Sequence, residues 1–430
     1  MQQNHEEGNS PPGRPAPARR GLHPQLRLIL GLHVPAIALG LGNGLSLPVL
    51  PELTKLYGVS IVEASWVFVA YLLGTLVASL PTGLLIDRIG RRKILLAGPL
   101  VVALSSLLIA KAAVSGSFPE LLAYRFIAGV GTQMWMQSRI TVIADTGAAQ
   151  QRGKQVTQMF GVQQVGALSG PLIGGFAAVT WGLWSPFLIH AVLTLLFIVP
   201  TYFVVKESAP AARRAAEAAV EGSRWGLMLQ KPLPTVFSIQ FLTNVTRGAV
   251  FEGGVILLYP SYAYGLDPAE LGILRSAMAV GTIPILFTTG VVMDRFGRKY
   301  TIVPGLILTS LAMGSMSATA FASLTLPWFV ASFVFVHLAI SIISGNMQTL
   351  GTDVAPPQAR GLFFGFSRLI AQGGSTTSPT SFGLLSGAFG FGAAFVLLAS
   401  TAFIAGLVVA FFLEETLKRP EKAGASRGRG

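Results

Sequence analysis

Gly83-Leu84-Leu85-Ile86-Asp87-Arg88-Ile89-Gly90-Arg91-Arg92-Lys93 is a short charged turn between two long apolar stretches. It returns as Gly290-Val291-Val292-Met293-Asp294-Arg295-Phe296-Gly297-Arg298-Lys299. The spacing holds at both ends, since 290 − 83 = 207 and 297 − 90 = 207. Other pairs keep it. Asp145 stands seven residues before Arg152-Gly153 and Asp353 seven before Arg360-Gly361; 353 − 145 = 208, and Pro171 and Pro379 are also 208 apart. A chain that repeats itself at half its length, with charged turns between hydrophobic spans, is built from two related halves in the same orientation.

Composition says what surrounds those halves. Of 430 residues 52% are hydrophobic and only 11% charged, and the mean hydropathy is +0.62. A soluble globular domain carries about 25% charged residues. Here the charges cluster between apolar runs of roughly 20 residues, the length that crosses a bilayer. The chain has no cysteine, which excludes disulfides, thiol catalysis and Cys-based metal sites. It has no Walker A, His-Glu-x-x-His or Gly-x-Ser-x-Gly sequence, so no enzyme, metal site or cofactor is expected. Residues 1–24, with Pro11, Pro12, Pro15 and Pro17, and residues 415–430 are expected as disordered tails.

Hydrophobic runs predict an all-α membrane protein with about twelve spans, near 27–50, 62–86, 93–114, 119–144, 153–179, 183–205, 234–262, 269–293, 300–321, 326–348, 359–387 and 390–413. They form two pseudo-symmetric six-helix bundles, 25–205 and 232–414, joined by a polar segment over 206–231. Positive charge collects in alternate loops: Arg88, Arg91, Arg92 and Lys93 after the second span, Arg152 and Lys154 after the fourth, Arg213, Arg214 and Arg224 in the centre, Arg295, Arg298 and Lys299 after the eighth. The other side offers little beyond Lys55 and Lys111. The positive-inside rule then places both termini and the central segment in the cytoplasm, in a cell inner membrane. The net charge of +13 is read as topology and not as a nucleic-acid surface. Parallel six-helix halves with a substrate bound between them near the midplane are a recurrent plan of secondary transporters.

At this point the chain resembles the major facilitator superfamily. The turn at Gly83–Lys93 is similar to its motif A, with Ile86 where Ala is usual. Leu121-x-x-x-Arg125-x-x-x-Gly129-x-Gly131 in the fourth span resembles motif B, with Ala128 where Gln is common. Gly166-x-x-x-Gly170-Pro171-x-x-Gly174-Gly175 in the fifth span matches motif C, the antiporter signature. Leu41-Gly42, then Pro48-Val49-Leu50-Pro51, resembles the pattern of twelve-helix drug:proton antiporters. The resemblance implies that Gly83, Asp87, Arg88, Gly90, Arg91 (or Arg92) and Asp145 gate the cytoplasmic rim, with Asp87 facing the start of the eleventh span and a charge network latching the outward-open state. Asp294, Arg298 and Asp353 are the weaker second copy. A loop serving topology alone is the alternative. Motif C implies packing of the fifth span on the eighth across the halves, the alternative being ordinary glycine packing.

Ionisable groups inside spans are costly and become functional candidates by default. Arg125, Thr132, Met136 and Arg139 share one stripe of the fourth span, expected to face the central cavity. Arg125 fits proton coupling or anion contact, against structural pairing with a helix end; Arg139 fits the rim network with Asp145. The seventh span holds Asn244, Arg247, Phe251 and Glu252. A proton-coupled carrier needs a group that takes up and releases protons, and Glu252 is the carboxylate placed well inside a span, so it leads as the proton site; a fixed ion pair is the alternative. Asn43, Asn244, Arg247, Phe251, Thr132, Met136 and Arg368 are cavity candidates. His33, His190 and His337 read first as packing residues. Together these features predict a monomeric exporter in the lipid bilayer that exchanges a small amphipathic molecule for protons, with the proton gradient in place of a cofactor. A sugar or amino-acid efflux carrier would look the same, and a transporter-like sensor or scaffold is the alternative of another class.

Overall fold

The structure is a computed structural model and describes residues 29–146, 152–205, 225–344, 346–356 and 359–415. The expected tails, apart from Glu415, and most of the central segment fall outside the described residues, as do the side chains of Asp87, Asp145, Glu252 and Asp294. Among the described residues twelve helices follow the expected spans one for one: α1 Val34–Ser46, α2 Ile61–Ile89, α3 Arg91–Ser115, α4 Phe118–Thr146, α5 Arg152–Trp181, α6 Ser185–Val204, α7 Leu233–Arg247, α8 Pro268–Phe296, α9 Lys299–Phe321, α10 Leu326–Ser344, α11 Arg360–Phe389 and α12 Phe391–Phe412. Short helices lie beside them, including Asn346–Val354, which continues α10.

Eight of these segments are long and apolar enough to cross a bilayer, and α7 with its continuation makes a ninth. The other three are α4, α8 and α11, of 29, 29 and 30 residues. At about 1.5 Å per residue each outspans a hydrocarbon core of about 30 Å. They fall short on composition: α4 and α8 carry buried arginines, and α11 is rich in serine and threonine.

Local sequence explains where the helices start and stop. Ser60 caps α2 with a reciprocal pair: its hydroxyl accepts from Glu63 N–H at 3.3 Å, and the Glu63 carboxylate accepts from Ser60 N–H at 2.8 Å. Asp267 and Glu270 repeat the arrangement at the start of α8, at the same offset of 207 residues (267 − 60), with Pro268 at the first helical position. Each box satisfies two orphan N–H groups. At the far ends of these two helices Gly90 and Gly297 take φ of +105° and +112°. Only glycine adopts that backbone without strain, which is why both charged turns carry it.

The apolar runs predict unbroken first and seventh spans, and both are broken. The first stops at Ser46, turns through Leu47–Val49 and resumes as Leu50–Leu56, because Pro48 has no N–H to continue the ladder. The seventh stops at Arg247, passes through a π turn over Gly248–Glu252 and resumes as Leu258–Ala263. Its two parts are bent by 46°. Gly253 N–H donates to Gly248 O at 2.7 Å, the π-type bond. The breaks are equivalent positions, Leu47 and Gly254 being 207 apart, and they touch: a Cβ on Gly254 would lie 2.8 Å from Leu47 Cδ2.

Packing repeats with the sequence. In the first half α1 packs on α5 and α6, α3 on α4 and α6, and α2 on α4; in the second α7 packs on α11 and α12, α9 on α10 and α12, and α8 on α10. The halves meet along two seams, α5 with α8 and α2 with α11.

Candidate functional site

The contacts across those seams gather at one end of the bundle. Thr54 Oγ1 lies 3.2 Å from Tyr262 OH. Lys55 Nζ donates to Ser261 O at 2.8 Å, pairs with Glu52 at 3.0 Å and sits 5.4 Å over the Tyr262 ring. Lys55 and Tyr262 are 207 apart, so equivalent positions of the two halves meet each other here. On the first seam Leu172 N–H donates to Ser276 Oγ at 3.1 Å. On the second Gln372 Nε2 donates to Thr75 Oγ1 at 2.6 Å, and Gly383 and Gly387 lie against Ser65 and Val62. The Gln372–Thr75 bond is at mid-span, and the others lie toward the end opposite the Gly-Asp-Arg turns. Toward the turn end, a Cβ on Gly161 of α5, Gly290 of α8 or Gly365 of α11 would meet nothing within 4 Å. Among the described residues the hydrogen bonds between the halves lie from mid-span to the far end, the shut end, and none lies at the turn end.

The motif C glycines divide between two neighbours. A Cβ on Gly166, Gly170 or Gly174 would strike the backbone of α1, at Ile37, Leu41 and Leu45 respectively. These three therefore seat α5 on α1 within one half, where Gly40 and Gly44 give reciprocal room. Gly175 and Pro171 are the part that faces α8: a Cβ on Gly175 would lie 2.9 Å from Ala269 Cα, and one on Gly272 would lie 3.0 Å from the carbonyl carbon of Pro171. The expectation of a cross-half role fits two of the motif's residues and not the stripe as a whole. Close approach through small residues is the usual device for packing helices in lipid.

At the turn end the second motif copy is knitted within its own half. Arg298 Nε donates to Asp353 Oδ2 at 2.9 Å, the partnership expected from the repeat. The Glu415 carboxylate accepts from Arg298 N–H at 2.9 Å and Lys299 N–H at 3.0 Å, capping the start of α9. In the first copy Arg88 is exposed. Arg92 donates to Tyr202 O at 2.7 Å and lies 5.0 Å over the Tyr202 ring, tying α3 to α6. Gly83 faces Gln137 of α4.

In the core of the first half, Arg125 is only 5% exposed. Its Nε donates to Val67 O at 3.3 Å and its guanidinium stacks 4.6 Å from the Tyr71 ring centroid, while Tyr71 OH donates to Asn43 Oδ1 at 2.9 Å. Asn43, Tyr71, Arg125, Thr132, Ser106 and His190 line a water-sized cavity. That cavity lies among helices of one half, and not in the space between the halves where Asn43, Arg125 and Thr132 were expected. His190 Nδ1 lies 3.1 Å from Ser106 Oγ and its Nε2 faces Gly42. Arg139 does not reach the rim: it is fully buried, donates to Gln163 Oε1 of α5 at 3.0 Å and to Met136 Sδ at 3.3 Å, and stacks 5.7 Å from Trp135.

The second half brings together a cluster that the sequence reading found only in part. Arg275 of α8, 8% exposed, lies 3.0 Å from His337 Nε2 of α10 and donates to Phe251 O at 3.3 Å. His337 Nδ1 is 2.9 Å from Phe333 O. An always-charged guanidinium at Nε2 makes that nitrogen the acceptor, so the proton sits on Nδ1. Arg247 and Arg275 lie 5.8 and 5.4 Å from the same Phe251 ring centroid. Glu252 follows Phe251 at the end of the π turn, and its side chain is outside the described residues. Asn244 is buried, bonds Gln240 O at 2.7 Å and packs on Gly374. Arg368 is exposed on α11. Arg275 went unread, although a guanidinium seven residues inside an apolar span was signal enough.

Known proteins agree with this architecture. A model of the Major Facilitator Superfamily matches residues 35–252 and again 236–430, one match for each half. Multidrug resistance protein 2 of Bacillus subtilis (strain 168) is 23% identical, over 80% of this chain and 85% of its own. The class C tetracycline resistance protein of Escherichia coli is 31% identical over 63% of this chain and 68% of its own. Among solved structures, a crystal structure of a D-xylose-proton symporter superposes with a TM-score of 0.75 at 18% identity, covering 91% of this chain and 98% of that one. With two matches of the family model covering both repeated halves, the chain belongs to the Major Facilitator Superfamily and is a membrane-embedded secondary transporter, not an enzyme.

Proposed function

We propose that this transporter exports a small amphipathic molecule in exchange for protons, by alternating access across a cell inner membrane. Both termini and the arginine-rich turns face the cytoplasm, as the loop asymmetry suggests. On that reading the parted end is the cytoplasmic mouth and the shut end is the outer gate. The turn at Gly83–Lys93 would then latch the opposite state. The repeat supports the pairing it would use: Arg298 bonds Asp353, and the equivalent residues 207 and 208 positions earlier are Arg91 and Asp145.

The observation that carries the proposal is the break in α7. Glu252 is the one Asp or Glu that falls mid-span, and it falls on a π turn, a distortion frequent at functional sites. The break abuts Leu47 and Leu72 of the other half. A carboxylate at a mid-span break is a functional candidate by default. A proton-coupled carrier needs a group that takes up and releases protons, and a mid-span carboxylate is one. Motif C and the two resistance proteins support export over uptake. Everted membrane vesicles with an acidic interior test it. Uphill accumulation of exported dye or drug should depend on the gradient, and Glu252→Gln should abolish it while sparing downhill exchange. Normal uphill transport by Glu252→Gln, with unchanged pH dependence, would remove Glu252 as the coupling group.

A further inference from the structure

We propose that the transported molecule carries a single anionic group, of the carboxylate class, and that Arg247 is its docking point. The inference rests on the transporter reading above and adds the chemistry of the cargo. Besides Arg368, which is exposed on α11, four arginines lie inside the spans, Arg125, Arg139, Arg247 and Arg275, against Glu252 alone. Among the described residues no carboxylate bonds any of the four. Three of them are engaged by neutral acceptors: Arg125 by Val67 O, Arg139 by Gln163, Arg275 by His337 and Phe251 O.

Arg247 is different. It makes no hydrogen bond among the described residues, and its Nε is buried without a partner. Its one described polar contact is with the face of Phe251, which Arg275 shares. Two guanidiniums against one ring put like charges close together, where they repel. Five N–H donors in a planar fork suit the two oxygens of a carboxylate. The half-buried Arg247 and Phe251 give a charged donor beside an aromatic surface, which fits an acid with an apolar or aromatic body. A cationic cargo would add a third positive charge at the same ring.

The test uses the purified full-length chain and three scaffolds, phenyl, 2-naphthyl and 3-indolyl. Each is presented as the propionate, the corresponding primary amide and the corresponding propylamine. Thermal stability is measured against concentration of each. Propionates should stabilise the chain, and their amides and amines should not. Arg247→Gln should weaken propionate binding by about tenfold or more, the worth of a charge-assisted bond, with Arg247→Lys intermediate. Stabilisation by amines equal to that by propionates overturns the assignment, as does a propionate response unchanged in Arg247→Gln, or no response to any propionate. The parent protein alone decides between acid and amine, so a misfolded variant leaves the test intact. Gradient-driven export of an amine in vesicles would keep the exporter reading and sink the anion assignment. Propionate binding without any proton-driven movement would do the reverse.

Discussion

Replacing Gly175 by alanine should prise open the end of the bundle that is shut. The added Cβ would lie 2.9 Å from Ala269 Cα and nearer still to Pro268 O, where ordinary contact begins at 3.4 Å. The opposing atoms are backbone of the first turn of α8 and cannot rotate aside. The two helices must part by at least about half an ångström. Overpacking of this kind costs about 1–3 kcal/mol, and the cost falls only on the state in which α5 and α8 touch here. Such a bias is worth about 5–150-fold in the balance between states. The chain has no cysteine, so Val62→Cys, on α2 where it meets Gly387 of α11, is a reporter with no background. Its labelling by a membrane-impermeant maleimide from the shut side should speed up by a factor in that range. Gly170→Ala is the control: its Cβ would lie 2.6 Å from Leu41 O and 2.7 Å from Gly44 Cα, both within one half. It should lower thermal stability and leave labelling alone. If Gly175→Ala labels at the parental rate, or Gly170→Ala accelerates labelling equally, the α5–α8 seam does not hold that end shut.

Three further outcomes follow from particular contacts. Gly42→Ala puts a methyl group on the His190 imidazole and should cost about 1–3 kcal/mol of stability; His190→Ala in the same chain should recover part of it in a melting experiment, and a neutral Gly42→Ala would contradict the packing. Lys55→Gln removes the charge that bridges Glu52, Ser261 and Tyr262. The Glu52 pair lies within one half, whereas the bond to Ser261 O crosses between the halves; a hydrogen bond from a charged group is worth about 1.5–3 kcal/mol, so labelling at Val62→Cys should rise by about tenfold or more, and an unchanged rate would mean that this bridge does not hold the gate. Asp87→Asn should impair transport more than Asp294→Asn at equal expression, because the second turn is already fastened by Asp353 and Glu415; equal, near-normal rates would leave the first turn a topological role alone.

Much of the fold was written in the repeat. The offset of 207–208 residues in Asp87/Asp294, Asp145/Asp353 and Pro171/Pro379 anticipated the repeated packing plan and the Arg298–Asp353 pair. The same offset in Ser60/Asp267 and Glu63/Glu270 was equally legible, and it marks where α2 and α8 begin. Periodicity did not reveal the breaks in the first and seventh spans, because a break keeps the apolar content of a span; Pro48 and Gly253-Gly254 were the signals. Residue spacing placed Arg125, Thr132, Met136 and Arg139 on one stripe, but a stripe gives a direction and not a neighbour. Helix packing turned Arg139 onto Gln163 and Arg125 onto Tyr71. The motif C glycines illustrate the same limit, since spacing fixed their common face and only the packing of α1 against α5 decided what that face meets. Arg275 and His337 sit 62 residues apart, and no local pattern joins them.

The central claim is that substrate and protons move in opposite directions through this chain. Purified protein in liposomes with an acidic interior and an internal pH dye measures it directly. Addition of the transported molecule outside should collapse the gradient, with alkalinisation of the lumen at a rate that scales with substrate uptake and vanishes in Glu252→Gln. Substrate uptake with no change in lumenal pH, or with further acidification, would contradict proton exchange.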